Sequence, residues 1–309
     1  MADVLDVLIV GGGAAGYTAG IFAARDRCRA LLLEKFAAGG QVLNCEHITN
    51  FPGFPQGIAG YALGPLLQEQ ATAAGLQMAM NEVTAVRRDG DLLLVQTDGG
   101  AHTTRALIVA SGSRFTTLGV PGEEEFAGRG ISHCASCDGS FFMQKPVIVV
   151  GGGDAAVDEA LHLSQYAASV TVLHRRDTLR ACTSLQERAR SERKVAFQWN
   201  TVVRAIEGAG GVERVQVEDV TSGKAATLEA SGVFIYAGLT PNTEFLGGLV
   251  PVDARGQIVT DLRMRTRVPG VLAAGDVRAE SARQLVTSAG DGATAALAAV
   301  QYLRDGRWP

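Results

Sequence analysis

Two short apolar runs, Asp6-Val-Leu-Ile-Val10 and Pro146-Val-Ile-Val-Val150, are each followed by a Gly-rich turn and then by a helix-like stretch. Unbroken runs of this kind suit strands buried on both faces of a sheet. Each unit returns to a second apolar run, Ala30-Leu-Leu-Leu33 in the first and Val170-Thr-Val-Leu173 in the second. The pattern therefore predicts one strand–turn–helix–strand unit used twice, offset by 140 residues (146 − 6). Residues 83 to 113 alternate in short β-like runs that end in Ala106-Leu-Ile-Val-Ala-Ser-Gly112. Two turn-rich stretches, Leu118-Gly-Val-Pro-Gly-Glu-Glu-Glu125 and Ala237-Gly-Leu-Thr-Pro-Asn242, read as hinges on either side of the second unit. The C-terminal part must then return to complete the first domain. Its Val271-Leu-Ala-Ala-Gly-Asp276 reads as a buried strand ending in an acid, where an open α/β sheet places a ligand-facing carboxylate.

The two turns are Gly11-Gly-Gly-Ala-Ala-Gly16 and Gly151-Gly-Gly-Asp-Ala-Ala156. Such a turn is weak evidence alone, but here the strands and the helix that it requires are in place both times. Gly11 and Gly151 make the tight turn, and Gly13 and Gly153 let backbone approach a pyrophosphate. Gly16 and Ala156 let helix and strand pack closely, while Ala14, Ala15, Asp154 and Ala155 open the helices whose amides face the phosphates. The bland reading is a pair of ligand-free βα turns.

What separates the two copies is the residue 23 positions on. In the first it is Glu34, followed by Lys35; an acid there accepts hydrogen bonds from a free ribose 2′-hydroxyl. In the second it is His174, followed by Arg175, Arg176 and later Arg180. Guanidinium forks suit phosphate oxygens, so this copy is expected to hold the 2′-phosphate of NADPH, leaving the first for FAD. A solvated Arg-rich loop is the alternative. The expected fold class is α/β, with two Rossmann-like dinucleotide-binding domains. The NADPH domain, with residues 116–245, is inserted into a discontinuous FAD domain, 1–115 and 246–309.

Composition narrows the function further. The chain has 309 residues, 47% hydrophobic and 19% charged, with a net charge of −4. This describes a well-packed enzyme and argues against nucleic acid or an anionic membrane surface as partner. The apolar stretch from Val7 to Ala24 is interrupted by Gly11, Gly12, Gly13 and Gly16, so it reads as strand, turn and helix rather than a membrane span. Five cysteines, odd in number and mostly isolated, point to a reducing cytoplasm.

Cys134-Ala-Ser-Cys137 precedes the second Gly-rich turn. Such a pair is either half a zinc site or a redox dithiol. No second pair and no His-x₃₋₅-His supplies the missing ligands, so no metal is expected and redox chemistry is the better reading. Asp138 follows at once; it either passes a proton to a departing thiolate or makes a turn with Gly139. His133 reads as a surface or turn residue. Cys28 reads as a buried filler near the first helix, and Cys45 and Cys182 as structural or incidental.

Taken together, these segments resemble the low-molecular-weight thioredoxin reductases over essentially the whole chain. The matching residues are Gly11–Gly16, Gly39-Gly40-Gln41 with Asn50-Phe-Pro-Gly53, Ala110-Ser111-Gly112, Cys134-Ala-Ser-Cys-Asp-Gly139, Gly151–Ala156, His174-Arg-Arg-Asp-Thr-Leu-Arg180, Gly275-Asp276, and Arg283-Gln284 with Thr287-Ser-Ala-Gly290. The resemblance implies that Gln41, Asn50, Asp276, Arg283 and Gln284 surround FAD, with Asp276 reaching the ribitol chain. It implies that Cys137 lies nearer the flavin and that Cys134 attacks the substrate disulfide. It also implies a homodimer whose domains alternate between two orientations, acting on thioredoxin or another small dithiol protein. Three departures bear on the substrate: Cys-Ala-Ser-Cys for the commoner Cys-Ala-Thr-Cys or Cys-Ala-Val-Cys, Ser140 before Phe141 and Phe142, and Val42-Leu-Asn-Cys-Glu46 after Gly-Gly-Gln. They fit a paralogue that reduces or oxidises a different dithiol. A ferredoxin–NADP reductase is disfavoured by the cysteine pair, and an idle NADP-binding module by retention of both nucleotide turns.

Overall fold

The computed structural model describes residues 4–45 and 47–308. Glu46, at the end of the segment after Gly-Gly-Gln, and the first three and the last positions of the expected outer domain lie outside the described residues. The chain forms two compact units, residues 1–114 with 240–309 and residues 115–239.

In chain order, unit 1 begins with strand β1 (Leu5–Val10), helix α1 (Ala14–Arg25), β2 (Ala30–Glu34) and α2 (Gly60–Ala73). Strands β3 (Gln77–Met80), β4 (Val83–Asp89), β5 (Leu92–Thr97) and β6 (Gly100–Val109) follow. The chain leaves through β7 (Ser113–Phe115). Unit 2 then holds β8 (Ile131–Ser132), the single-turn helix α3 (Ala135–Asp138), β9 (Pro146–Gly151), α4 (Asp154–Leu163), β10 (Ser169–Leu173), α5 (Thr183–Ser191) and β11 (Val195–Gln198). It closes with β12 (Thr201–Glu207), β13 (Arg214–Asp219), β14 (Ala225–Glu229) and β15 (Gly232–Tyr236). The chain returns through β16 (Leu239–Pro241), and β17 (Val271–Ala273) and α6 (Leu285–Asp305) complete unit 1.

Unit 1 is built on a sheet in the order β3-β2-β1-β6-β5-β4, with β17 also paired to β6. The strands β3, β2, β1, β6 and β17 run parallel, whereas β5 and β4 return antiparallel as a meander. The parallel strands are apolar throughout because both faces are covered: Val7, Ile9 and Leu32 lie in one core and Leu8, Leu31 and Leu33 in the other. Helices α1 and α6 meet without side chains between them at one point, where a Cβ on Gly292 would lie 2.1 Å from the Ala15 carbonyl oxygen.

Unit 2 repeats the plan on a smaller scale, with a parallel sheet in the order β11-β10-β9-β15-β8. A separate antiparallel sheet of β12, β13 and β14 packs Val203, Ile206, Val215 and Val217 against Ile148, Leu173 and Ile235. The two apolar repeats are therefore the central strands β1 and β9. The turn-rich stretch 118–125, expected as a hinge, is instead folded within unit 2. Buried Glu123 accepts the Leu118 and Gly119 amides at 2.8 and 2.7 Å, which replaces the flexibility its glycines and proline imply.

Candidate active site: a disulfide and two glycine turns at the carboxyl edges

In unit 1, β1, β2, β6 and β17 all end on the same edge of the sheet, and Gly11, Glu34, Ser111, Gly112 and Asp276 lie at or just beyond those ends. A Cβ on Gly11 (φ +106) would sit 2.4 Å from the Ala110 carbonyl oxygen, and one on Gly16 would sit 1.8 Å from the Gly11 carbonyl oxygen. By contrast, Gly13 faces open space, which is the shape a close-lying phosphate group needs. Gly40 borders the same opening, its Cβ position 3.6 Å from Gly13 Cα, and the Gly39 amide is bonded to the Gly12 carbonyl at 2.8 Å. Ala14 and Ala15 begin α1 as expected.

Glu34 ends β2 and accepts the Gly12 amide at 2.6 Å through Oε2, while Oε1 accepts the Lys35 and Phe36 amides at 2.9 Å each. Three amides thus aim one carboxylate at the turn. Beneath it, the buried Tyr17 hydroxyl has no hydrogen-bond partner among the described residues, and burial, with Glu34 nearby, pushes its pKa up to about 12. Lys35 itself points elsewhere, its Nζ pairing with exposed Glu82 at 3.2 Å.

Other expected residues are brought together in pairs. Asn50 Nδ2 donates to Gln284 Oε1 at 3.2 Å, and Gln284 opens α6 beside exposed Arg283 (φ +55). Gln41 donates to the Ser113 carbonyl at 3.1 Å. The Ser111 hydroxyl donates to the Asn242 carbonyl at 2.7 Å, and the Asn242 amide returns a bond to the carbonyl of Gly112 (φ +61) at 3.1 Å. Asp276, just beyond β17, accepts the Ser281 and Ser288 hydroxyls at 3.2 Å each, and burial raises its pKa above the ordinary carboxylate value. The turn that carries it is clamped by a pair the sequence reading missed. Arg278 and Asp291 bond in two places, at 2.6 and 2.9 Å, and Asp291 also takes the Gly275 amide at 3.1 Å. Partners 13 residues apart, one in a turn and one in a helix, leave no local signal.

Unit 2 places its chemistry on the equivalent edge. Gly151 is hemmed by the Tyr236 carbonyl and the Ala156 methyl, each 2.7 Å from its Cβ position, while Gly153 is open, with only Arg180 Nη2 at 4.0 Å. Asp154 and Ala155 start α4, and Asp154 Oδ1 accepts the Cys182 amide at 2.7 Å, tying that segment back to the turn. Arg175, Arg176 and Arg180 are exposed, and none bonds a carboxylate among the described residues. The remaining member of the basic cluster behaves differently. His174 is 6% exposed, with its ring against Gly152, and burial lowers its pKa below the ordinary 6.5. The positive charge therefore resides on the three arginines, and His174 supports the turn from below.

Cys134 and Cys137 form a disulfide, with Cα atoms 5.3 Å apart across α3. Cys134 caps this helix, its sulfur accepting the Cys137 amide at 3.2 Å. Asp138 ends the same turn. The Ser132 hydroxyl donates to its Oδ2 at 2.6 Å and accepts the Cys134 amide at 3.0 Å. Glu159, from α4, accepts the Ala135 amide at 3.1 Å. Tyr236 is buried at the end of β15, and burial, with Glu159 close by, pushes its pKa upward. His133 is half-buried and stacks on Phe115 with centroids 5.2 Å apart, so burial lowers its pKa as well. Ser132 and Glu159 were not singled out in the sequence. A Ser two residues before the first cysteine, placed to accept an amide two positions on, is the signal that could have found Ser132. Cys28 is half-buried with its thiol pKa raised by burial, and Cys45 and Cys182 are exposed and outside the disulfide.

A closed Cys-x-x-Cys beside a nucleotide-type turn in one unit, with a second such turn in the other, is the equipment of a nucleotide-dependent disulfide oxidoreductase. The family model described as pyridine nucleotide-disulphide oxidoreductase matches residues 5–293. The thioredoxin reductase of Treponema pallidum is 45% identical over 301 residues, covering 96% of this chain and 97% of its own length. That of Bacillus subtilis is 40% identical over 303 residues, covering 98% and 96%. The crystal structure of Lactococcus lactis thioredoxin reductase superposes with a TM-score of 0.95 at 41% identity, covering 97% of this chain and 99% of that one. The chain belongs to the pyridine nucleotide-disulphide oxidoreductases and, among them, to the thioredoxin reductases. Membership implies a flavin and a nicotinamide nucleotide as cofactors. No helix among the described residues is long and apolar enough to cross a membrane.

His174 gives a pH test of the second turn. Its pKa is lower folded than unfolded, so the unfolded chain takes up the proton first as pH falls. Its contribution to stability is complete above pH 6.5 and is lost as pH drops through the folded value. Thermal melts between pH 8 and 5 should show His174→Asn with a shallower fall in Tm than the parent. An unchanged slope would mean that His174 titrates alike in the folded and unfolded chain.

Proposed function

We propose that the chain is an NADPH-dependent disulfide reductase that carries electrons from NADPH through FAD and the Cys134–Cys137 disulfide to thioredoxin or a thioredoxin-like protein. The observation that carries this reading is the closed disulfide with Asp138 tethered beside it, on the sheet edge that also bears the second glycine turn. In this reading FAD belongs to the first cradle, where the opening at Gly13, the aimed Glu34 carboxylate and the buried Asp276 fit a dinucleotide with a free ribose hydroxyl. NADPH belongs to the second, where three arginines without acid partners fit a 2′-phosphate. When bound, FAD supplies a two-electron relay between the nicotinamide and the disulfide.

The chain's own residues then perform the exchange. Two electrons open the Cys134–Cys137 bond as a pair of thiolates, and Asp138 takes up a proton from solvent. Cys134 attacks one sulfur of the substrate disulfide, forming a mixed disulfide and expelling a thiolate that takes a proton from Asp138. Cys137 next attacks Cys134, which closes the enzyme disulfide and releases the second substrate thiolate. Exposed Phe141 and Met143, directly after the redox turn, offer apolar contacts to a protein substrate. Exposed Phe22, Leu66 and Leu297, on α1, α2 and α6 of unit 1, fit burial against a second copy of the chain. Three cysteines outside any disulfide and a redox pair fit the reducing cytoplasm.

One purified preparation tests the cofactor and assembly together. It should sediment at twice the chain mass and release FAD on heating; FMN or a stable monomer would overturn that part. Arg175→Ala with Arg176→Ala should raise the KM for NADPH at least about tenfold and leave NADH unaffected, since each charged hydrogen bond to phosphate contributes about 1.5–3 kcal/mol. Equal use of both cofactors by the parent would refute the assignment. Cys134→Ser should abolish protein-disulfide reduction while NADPH still bleaches the flavin, and Cys137→Ser should trap substrate covalently. Full reductase activity in Cys134→Ser would make the pair structural.

A further inference from the structure

Ser132 ends β8, held in register opposite Phe234, and is 6% exposed. Its hydroxyl has one proton and two acceptors within reach, Asp138 Oδ2 at 2.6 Å and the Cys134 carbonyl at 3.3 Å. The shorter contact, to the carboxyl oxygen, takes the proton. The same oxygen accepts the Cys134 amide at 3.0 Å. This is the single side-chain hydrogen bond to the Asp138 carboxylate among the described residues. The acid is thus connected, through one hydroxyl fixed on a strand, to the backbone of the cysteine that attacks.

We propose that Ser132 is a positioning residue for proton delivery, acting through Asp138. The proposal rests on Asp138 being the proton donor when the substrate disulfide breaks. In that step the Cys134 thiolate bonds to one substrate sulfur, the S–S bond gives its electron pair to the other, and the proton that Asp138 took up from solvent on reduction of the enzyme disulfide passes to that departing sulfur. A carboxyl free to rotate spends less time where the departing sulfur emerges, and loss of such orientation lowers the rate without weakening substrate binding. Ser132 is buried beneath the turn, so it has no part in substrate affinity. Hydroxyl removal should therefore lower kcat and leave KM in place.

Val and Thr have nearly the same volume, and both suit a strand, so Ser132→Thr and Ser132→Val in the flavin-loaded enzyme separate the hydroxyl from packing. With thioredoxin disulfide as substrate, S132V and S132A should lose about tenfold or more in kcat at unchanged KM, and S132T should retain most of the parent rate. Asp138→Asn should lose more, about a hundredfold, and adding S132V to D138N should cost nothing further, because the two act as one unit. If D138N turns over like the parent, the reading of Asp138 fails and the proposal with it. If D138N is impaired while S132V matches S132T, or while S132V costs as much in the D138N background as alone, the assignment to Ser132 is overturned and that of Asp138 stands.

Discussion

A Cβ at residue 16 would lie 1.8 Å from the Gly11 carbonyl oxygen, and much of unit 1 depends on that contact being available. It lets α1 start flush against the end of β1, which brings the first amides of the helix to the carboxyl edge of the sheet. Gly292 lets α6 come equally close to α1, and α6 in turn carries Gln284 and the Asp291 that clamps the Asp276 turn. Backbone packed on backbone cannot relax the way side chains do, so the turn at Gly11–Gly16 is set by its own packing. Unit 2 makes a different compromise at the matching point. Ala156 replaces the third glycine, and its methyl fills the space under Gly151.

Both units place their reactive groups where parallel strands end. In unit 2 four strands end close together: β8 at Ser132, β9 at Gly151, β10 at Leu173 and β15 at Tyr236. The redox turn follows the first of these, the glycine turn the second and the arginine loop the third. A sheet edge fixes such loops to within a fraction of a strand spacing, whereas a disulfide on a long surface loop would have no defined approach. The side chains beneath the redox turn, Ser132, Glu159 and Tyr236, are all buried or anchored in regular structure.

The parts of this arrangement that depend on one residue and its immediate neighbours could be read from the sequence. The glycine turns could be read because their requirement is steric and local, and the α/β class followed from uninterrupted apolar strands. Cys134 and Cys137 could be read because a pair three apart either closes on itself or needs partners that the chain lacks. Groups whose role depends on distant residues could not. His174 looks like part of a basic cluster, yet its ring lies under Gly152, and only the sheet register reveals that. Lys35 follows Glu34, which holds the Gly12 amide, but pairs with Glu82, just before β4. The 118–125 stretch has the composition of a hinge, and Glu123 fastens it through two amides.

The chain leaves and re-enters unit 1 at one place, and unit 2 begins and ends at one place. Within unit 1 the Asn242 amide bonds the Gly112 carbonyl at 3.1 Å, and within unit 2 the Thr116 amide bonds the Gly238 carbonyl at 3.0 Å. Unit 2 is one uninterrupted stretch of polypeptide, whereas unit 1 lacks β17, the Asp276 turn and α6 until the final part of the chain is made. On the ribosome the inserted unit is therefore the first to possess all of its sequence, and the unit that starts at the N-terminus is the last. Until then α1 has no α6 to pack on, and its apolar face is open to the other nascent chains of a polysome.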